Sequence, residues 1–234
     1  MRIESATVTV PAWALIVCVA LITCVGSVAW YYFVDANDAK MVGIVGGIVS
    51  GLIIFILTFV ISVWPLRKLD RFERMGIKNL LENRHEKSYY AGVLLRARKV
   101  VRVMGASCTR FADDFLDPEN EDHILIDALQ KYNRLQIQLL IPDDQHLSDD
   151  AKTRLPMMLR KLEKVQAQFG ERVQMRRFPE KAHHSFIIAD DHLIAGPVFE
   201  GDKSRYAPAV HVAMSTRYGQ KYSDYFERIW DSCA

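Results

Sequence analysis

Two long apolar segments open the chain, and shorter alternating apolar and polar runs follow them. Residues 11–34 and 41–64 contain no Asp, Glu, Lys, Arg or His. As helices, each would be about 36 Å long, enough to cross the roughly 30 Å hydrocarbon core of a bilayer. We therefore predict a membrane α-helical hairpin in residues 1–65. A cleaved signal peptide is the alternative for the first segment, but that segment is far longer than a signal-peptide core of about 7 to 15 residues.

Basic residues near the apolar segments predict how this hairpin is oriented. Arg67, Lys68, Arg71 and Arg74 follow the second segment, whereas the connector 35–40 contains a single lysine. Because Lys and Arg accumulate on the cytoplasmic side of membranes, we expect both termini in the cytoplasm. The sequence thus predicts a bacterial inner-membrane protein with two spans that contacts membrane lipid.

Small residues in the second apolar segment indicate close helix packing. Gly43, Gly47 and Gly51 recur at four-residue spacing, which gives a flat surface that another helix can approach closely. This surface could seat the first helix of the same chain, or it could close a homo-oligomer around a pore. Two helices per subunit cannot enclose a channel, so conduction would need several copies, for example a tetramer.

A charged segment with regularly spaced apolar residues follows the second apolar segment. Leu69, Phe72, Ile77 and Leu80 stand among many charges in residues 66–87, which favours an amphipathic connecting helix. This helix could couple the two parts of the protein, or it could be a solvated stalk whose apolar side covers the domain that follows.

From residue 88 onward, strand-like apolar runs alternate with helical patterns. We predict strands near 100–104, 135–141, 172–178, 186–189, 193–195 and 207–214, and helices near 89–99, 121–132, 149–169 and 218–230. Strands separated by helices of roughly 10 to 20 residues imply a mixed, largely parallel sheet with helices on both faces. Residues 88–234 would therefore form one cytoplasmic α/β domain behind the membrane hairpin.

Charge and cysteine content exclude some classes of function. The chain after residue 63 has a net charge of about +3, which is too small by itself to indicate a polyanionic partner. Cys18, Cys24, Cys108 and Cys233 lack the spacing of a metal site. We therefore expect reduced thiols, no metal and no cofactor.

The segment 183–197 brings together paired histidines, apolar runs and adjacent carboxylates. Two short apolar runs separated by Asp190 and Asp191 indicate a β-hairpin with His183 and His184 at its open end. A zinc site built from the two histidines and Asp190 is disfavoured, because adjacent residues on a strand point to opposite faces.

The spacing in this hairpin resembles the signature of the phospholipase D-like superfamily, which is His-x-Lys-x4-Asp followed by a Gly-Ser-x-Asn turn. His183, Ser185 and Asp190 stand at the His, Lys and Asp positions, and residues 196–199 stand at the turn. The resemblance covers about residues 88–234 and implies that family's mixed α/β fold.

The resemblance also implies a chemistry, and this chain departs from it. In the family the histidine attacks phosphorus, and the lysine and the turn's Ser and Asn hold the phosphoryl oxygens. Here Ser185, Pro197 and Phe199 replace those three groups. Because losing one such group typically costs on the order of 100- to 1000-fold in rate, the resemblance favours a ligand-holding pocket over an active phosphodiesterase. If activity persists, His183 and Asp190 are the catalytic candidates, and the family's paired motifs would require a dimer.

Hydroxyl, imidazole and basic side chains near the predicted strand ends are candidates for holding a phosphorylated ligand. Besides His183, His184 and Ser185, they are Ser107, Thr109 and Arg110 in the first loop, Arg176, Arg177 and Lys181 before the hairpin, and Lys203 and Arg205 after it. Such a basic rim, with an aromatic ring such as Tyr206 nearby, suits a nucleotide or a short single-stranded nucleic acid.

The predicted layout resembles that of membrane effectors in bacterial antiphage signalling systems, including channels gated by nucleic-acid signals. We therefore expect an oligomeric membrane effector or sensor, which could be an ion channel. A nucleotide or oligonucleotide from a signal-synthesising partner enzyme would gate it by binding the cytoplasmic domain. The alternatives are a membrane-tethered nuclease or phosphodiesterase that uses His183 as nucleophile, and a membrane-anchored scaffold that binds protein.

Overall fold

The computed structural model describes residues 18, 22–23, 25–30, 33, 39–120, 123–199, 201 and 203–233. Within this described part, the chain divides into two compact units, Met1–Arg71 and Phe72–Ala234. The sheet and the candidate site belong to the second unit.

The first long helix, α1, spans Ala39–Arg74 and runs without a break from the apolar segment into the charged residues behind it. Among the residues that the structure describes, no helix has the length and apolar character needed to cross a membrane. The predictions of a membrane α-helical hairpin and of an inner-membrane protein with two spans are therefore wrong, whereas channel gating by a ligand stays a prediction. Most of the first predicted span, residues 11–34, lies outside the described residues.

The glycine stripe of α1 has no packing partner in the described ranges. A Cβ atom added at Gly43, Gly47 or Gly51 would meet no described atom within 4 Å. Close helix packing through this stripe, and the homo-oligomer it suggested, stay predictions.

The chain turns sharply between α1 and the first strand, β1 (Ile77–Leu81). Gly76 makes the turn with φ +69°, and an added Cβ there would overlap Thr216 Cγ2, so glycine meets both the conformational and the spatial demand. The structure differs here from the single helix predicted over 66–87. Residues 77–81 pair with the last strand of the sheet, and this tertiary pairing overrides the helical spacing.

A mixed sheet of seven strands forms the centre of the described domain, in the order β1-β7-β6-β5-β2-β3-β4. The remaining strands are β2 (Val100–Met104), β3 (Gln136–Pro142), β4 (Val173–Phe178), β5 (His184–Ala189), β6 (His192–Pro197) and β7 (Ala209–Ala213). Only β2, β3 and β4 pair in parallel among these described strands, and the other pairings are antiparallel. The mixed sheet is as predicted, but it is not largely parallel, because the hairpin strands join β2 in the opposite direction.

Helices cover both faces of this sheet, as predicted. They are α2 (Lys87–Leu94), α3 (Thr109–Phe115), α4 (Ile124–Lys131), α5 (Asp149–Phe169) and α6 (Arg217–Ser232). Val101 and Val103 of β2 pack in the core with α2 to α5, whereas Met104 packs with Phe226 and Trp230 of α6. This alternation follows from the two-residue period of a strand. It places the end of β2 between the two cores.

Candidate anion-binding site

A pocket of about 130 Å³ lies where β2 ends and β5 begins. Residues 105–108 and helix α3 form one side, helix α2 forms a second, and the short 3₁₀ helix Ser204–Tyr206 forms a third. Apolar side chains contribute to its lining: Val103, Phe111, Phe115, Ile187 and Ile194. All of these elements belong to the domain that contains the sheet.

Arg84 is the buried cation of this pocket, and the sequence pattern did not point to it. The residue is only 9 % exposed. Its Nη1 and Nη2 donate to the main-chain carbonyl oxygens of Ser185 at 3.3 Å and Pro197 at 2.6 Å. Its Nε is buried without a hydrogen-bond partner. Among the described residues, no carboxylate forms an ion pair with Arg84.

The buried surroundings of Arg84 destabilise its positive charge, and a bound anion would compensate that charge. Burial lowers the pKa of Arg84, and the nearby Tyr90 hydroxyl partly offsets this effect. An arginine nevertheless stays protonated in proteins. Carbonyl oxygens satisfy two of its N–H groups but do not neutralise its charge, and a buried unpaired charge is costly. The uncompensated charge of this pocket-lining arginine fits an anionic ligand.

Positive charge exceeds negative charge on the pocket wall. Of its described lining residues, four are basic and one is acidic: Arg84, Lys87, Arg110 and Arg205 against Asp114. Arg110 pairs with Asp114, with 3.2 Å between Nε and Oδ2, so that carboxylate already has a partner. The formal charge of the described lining residues is therefore +3, four positive charges less one negative charge.

Hydroxyl groups complete the polar lining. Ser107 Oγ and Thr109 Oγ1 lie 3.1 Å apart, and Ser185 reaches the pocket from β5. A Cβ added at Gly105 would lie 3.1 Å from Ser185 Oγ, so the glycine allows the loop after β2 to approach that serine. Serine and threonine hydroxyls can donate to phosphoryl or carboxylate oxygens.

Cys108 and Tyr90 also line the pocket, but neither is ionised near neutral pH. Burial raises the pKa of the Cys108 thiol to about 12 and that of the Tyr90 hydroxyl to about 12. A thiol rather than a thiolate is a poor nucleophile. No histidine stands among the described lining residues. The pocket lining therefore offers neutral hydroxyl and thiol groups beside its basic residues.

Five residues predicted for ligand binding line this pocket, together with Arg84: Ser107, Thr109, Arg110, Ser185 and Arg205. They come from three separate segments that the sheet brings together. The sequence resemblance implies a lysine at position 185. The structure instead brings a cation to the main chain of Ser185 from Arg84, which lies outside the segment that carries the resemblance.

Three of the predicted ligand-binding residues make structural contacts outside the pocket. Arg176 Nη1 donates to the Trp230 carbonyl oxygen at 2.6 Å, and its guanidinium lies 4.5 Å from the centre of that ring system. Arg177 forms an ion pair with Asp144 at 2.6 Å. His184 packs against tyrosines of α6 on the other face of the sheet. None of these three residues lines the pocket, because their side chains make the contacts described above, and their part in ligand binding stays a prediction.

The remaining predicted ligand-binding residues, His183, Lys181 and Lys203, are exposed and do not line the pocket. Lys181 and Lys203 flank the two ends of the hairpin region at the surface. Their part in ligand binding also stays a prediction.

Asp190 has a structural role, and β5 separates it from His183. Its carboxylate accepts hydrogen bonds from the main-chain N–H groups of Arg98 at 2.7 Å, Lys99 at 3.0 Å and Val100 at 2.8 Å. His183 and Asp190 flank the two ends of a six-residue strand, about 23 Å apart at roughly 3.3 Å per residue. The two residues therefore cannot act together on one bond.

No protein-family model matches the chain, and no curated protein matches it. The structure has some similarity to that of TrmBL2, an archaeal chromatin protein with a novel mode of DNA binding. That alignment has 14% sequence identity and a TM-score of 0.45, and it covers 80% of this chain and 69% of that chain. A second similarity is to phosphatidylserine synthase from Haemophilus influenzae Rd KW20, with 12% identity, a TM-score of 0.43, and coverage of 64% of this chain and 35% of that chain. Both TM-scores are below 0.5, so neither likeness carries an argument about this chain.

Proposed function

We propose that residues 72–234 form a binding domain for a phosphorylated ligand of the nucleotide or oligonucleotide class. The observation that carries the proposal is the buried guanidinium of Arg84, which lines the pocket without a carboxylate partner. Charge-assisted hydrogen bonds from arginine to phosphate oxygens are short and strong, and phosphate can accept several at once. The hydroxyls of Ser107, Thr109 and Ser185 add neutral donors around the same space.

An aromatic ring at the pocket rim favours a nucleotide over a bare anion. Tyr206 is 63 % exposed and directly follows the lining residues Ser204 and Arg205. The Arg205 guanidinium lies 5.1 Å from the centre of the Tyr206 ring. Exposed aromatic rings beside basic groups are what proteins use to stack the bases of single-stranded nucleic acids.

Calorimetric titration of the full chain with adenosine 5′-monophosphate and with a single-stranded DNA octamer tests this proposal. Arg84→Gln removes the charge but keeps polar donors, and we expect it to weaken binding by about 10- to 100-fold, because hydrogen bonds to charged groups contribute about 1.5–3 kcal/mol. Arg177→Gln, a charge removal outside the pocket, should leave the affinity unchanged.

Two results would contradict the proposal. One is the absence of measurable binding by the wild-type chain to any of these probes. The other is equal affinity of the wild type and Arg84→Gln, with circular dichroism showing that both are folded. Arg84→Lys, which retains the charge without the planar fork, should give an intermediate affinity.

A phosphodiesterase that uses His183 as nucleophile is the second candidate. The main-chain carbonyl of His183 accepts a hydrogen bond from Val198 at 2.9 Å, which extends the strand pairing to this residue. It therefore points to the same side of β5 as Ser185, two residues on. Release of p-nitrophenol from bis(p-nitrophenyl) phosphate by the wild type, and its loss in His183→Ala, would support this activity. No release by the wild type, or equal release by His183→Ala, would exclude it.

A further inference from the structure

The burial of Arg84 in the pocket wall bears on how the phosphate of a ligand would be attached. We infer that the pocket takes a terminal phosphate, that is, a phosphomonoester at the end of a nucleotide or strand, and not an internal phosphodiester. This inference rests on the proposed binding of phosphorylated ligands. It goes further in specifying which chemical form of phosphate the site selects.

Arg84 is only 9 % exposed, so a strand that lies across the surface can reach little of this residue. Its Nε is buried, and walls stand on three sides: Tyr90 from α2, Phe111 and Phe115 from α3, and Arg205 from the 3₁₀ helix. A phosphodiester carries two sugars, which must leave the phosphorus in two directions, whereas a monoester is attached through one bond. The pocket volume of about 130 Å³ is close to that of a roughly 150 Å³ cavity that holds one benzene molecule. Such a space suits one phosphate group, not a phosphate between two sugars.

The wall around Arg84 is tied together at its main chain. The Arg84 N–H donates to the Arg205 carbonyl oxygen at 2.8 Å. Arg110 Nη2 donates to the His85 carbonyl oxygen at 2.9 Å, and its Nη1 lies 3.4 Å from the Arg84 carbonyl oxygen. The segment that bears Arg84 is therefore bonded both to the 3₁₀ helix and to α3. Opening the pocket into a through-going groove would break these bonds.

Charge favours the same form of phosphate. A monoester carries about −1.5 to −2 at neutral pH and has three free oxygens, whereas a diester carries a single negative charge. Among the described lining residues, basic side chains outnumber acidic ones by four to one. The dianion therefore matches the excess positive charge better. Its third oxygen can also accept from the hydroxyls of Ser107 or Ser185.

The test compares DNA octamers of one sequence that differ only at their ends. One carries a 5′-phosphate, one a 3′-phosphate and one hydroxyl groups at both ends; adenosine 5′-monophosphate and inorganic phosphate are titrated beside them. We expect a terminal phosphate to raise the affinity of the full chain at least about 10-fold over the hydroxyl-ended octamer. Arg84→Gln should abolish that advantage, and Arg177→Gln should preserve it. The 5′ and 3′ arms identify which end is preferred.

The outcomes separate this inference from the proposed function. Equal affinity for all three octamers, with all three weakened in Arg84→Gln, would overturn the selection of a terminal phosphate and leave ligand binding intact. No binding of any probe by the wild type would overturn both. Binding of adenosine 5′-monophosphate or inorganic phosphate that depends on Arg84, with no affinity for the hydroxyl-ended octamer, supports the inference. Melting temperatures of the variants identify any loss of affinity that comes from unfolding.

Discussion

Arg84 reaches the main chain of Ser185 across 101 residues of sequence, and this single contact defines the candidate site. A lysine at position 185 on β5 would have completed the local motif and could have been recognised from the sequence. An arginine that arrives from another segment has no spacing relation to the motif, so nothing in the local pattern marks it. Residues of this kind are found only once the segments that carry them have been placed in the fold.

Asp190 combines a left-handed backbone with three main-chain hydrogen bonds, and its replacement should destabilise the fold. Its φ is +46°, and its carboxylate accepts from the N–H groups of residues 98–100. We expect Asp190→Ala to lower the free energy of unfolding by about 2–3 kcal/mol, because hydrogen bonds to a charged acceptor are lost. The exposed neighbour Asp191 is the control, and Asp191→Ala should change stability by no more than about 0.5 kcal/mol. Urea denaturation of both variants measures the difference; equal small effects would contradict the structural role.

A chain of polar groups links Tyr89 of α2 to β1 at the edge of the sheet. Tyr89 Oη lies 2.6 Å from His211 Nδ1, His211 Nε2 lies 2.9 Å from His192 Nδ1, and Lys78 Nζ lies 3.3 Å from the same His192 nitrogen. Burial, followed by the charges of His192 and Lys78, lowers the pKa of His211 from 6.5 to about 4. The histidine is therefore neutral in the folded protein at neutral pH.

This depressed pKa predicts how stability depends on pH. The unfolded chain takes up a proton at His211 as the pH falls through 6.5, while the folded chain does so only near pH 4. Stability is thus fully present above pH 6.5 and declines between 6.5 and 4, by up to about 1.4 kcal/mol per pH unit from this group. His211→Gln cannot titrate and should show a shallower decline in urea denaturation across that range. An identical slope in both proteins would contradict the assignment.

At the scale of elements, β6 and β7 approach so closely that a side chain is excluded from one position. A Cβ at Gly196 would overlap the Pro208 carbonyl oxygen and lie 3.3 Å from Ala209 Cα. Both contacts are with main-chain atoms, which cannot rotate away. This close approach involves β6, which also carries Pro197. The Pro197 carbonyl oxygen is one of the two that accept hydrogen bonds from Arg84.

Two glycine-to-alanine changes should therefore have opposite effects. Gly196→Ala should lower the free energy of unfolding by about 1–3 kcal/mol, the usual cost of overpacking. Gly92 lies inside α2, and a Cβ there would meet no described atom within 4 Å. Gly92→Ala should raise stability by about 0.5–1 kcal/mol, because alanine loses less backbone entropy in a helix. Thermal denaturation of the two variants provides the measurement, and a change of the same sign in both would refute the packing argument.

At the scale of the whole molecule, the domain begins before the segment that resembles a known family. The second compact unit starts at Phe72, and β1 (Ile77–Leu81) covers the edge of β7. A boundary at residue 88 would remove β1 and Arg84 together. The edge strand, the buried cation and the pocket are therefore parts of one folding unit.

Two fragments test where this unit begins. The fragment 72–234 should unfold cooperatively, because it retains all seven strands of the described sheet. The fragment 88–234 should melt at a lower temperature and associate through the uncovered edge of β7, because unpaired strand edges promote aggregation. Circular dichroism on heating and light scattering measure these properties. Equal melting temperatures of the two monomeric fragments would show that β1 is dispensable.

The local pattern by itself determined most elements after residue 88. Each strand predicted there falls on an observed strand, and the helix predicted over 149–169 is observed with those bounds, because two-residue and 3.6-residue periods are properties of neighbouring residues. The same pattern selected Ser107, Thr109, Arg110, Ser185 and Arg205, which line one pocket in the structure.

Tertiary structure alone decided the rest. The strand β1 formed within a helical spacing because β7 offered it a partner, and the charge-free stretches that predicted two membrane spans are not matched by a membrane-crossing helix in the described residues. Arg84 joined the site because strand pairing placed it beside Ser185 and Pro197. Contacts between residues far apart in the chain follow no sequence period. The pattern of neighbouring residues therefore predicted helices and strands, but it could not predict that Arg84 would line the pocket.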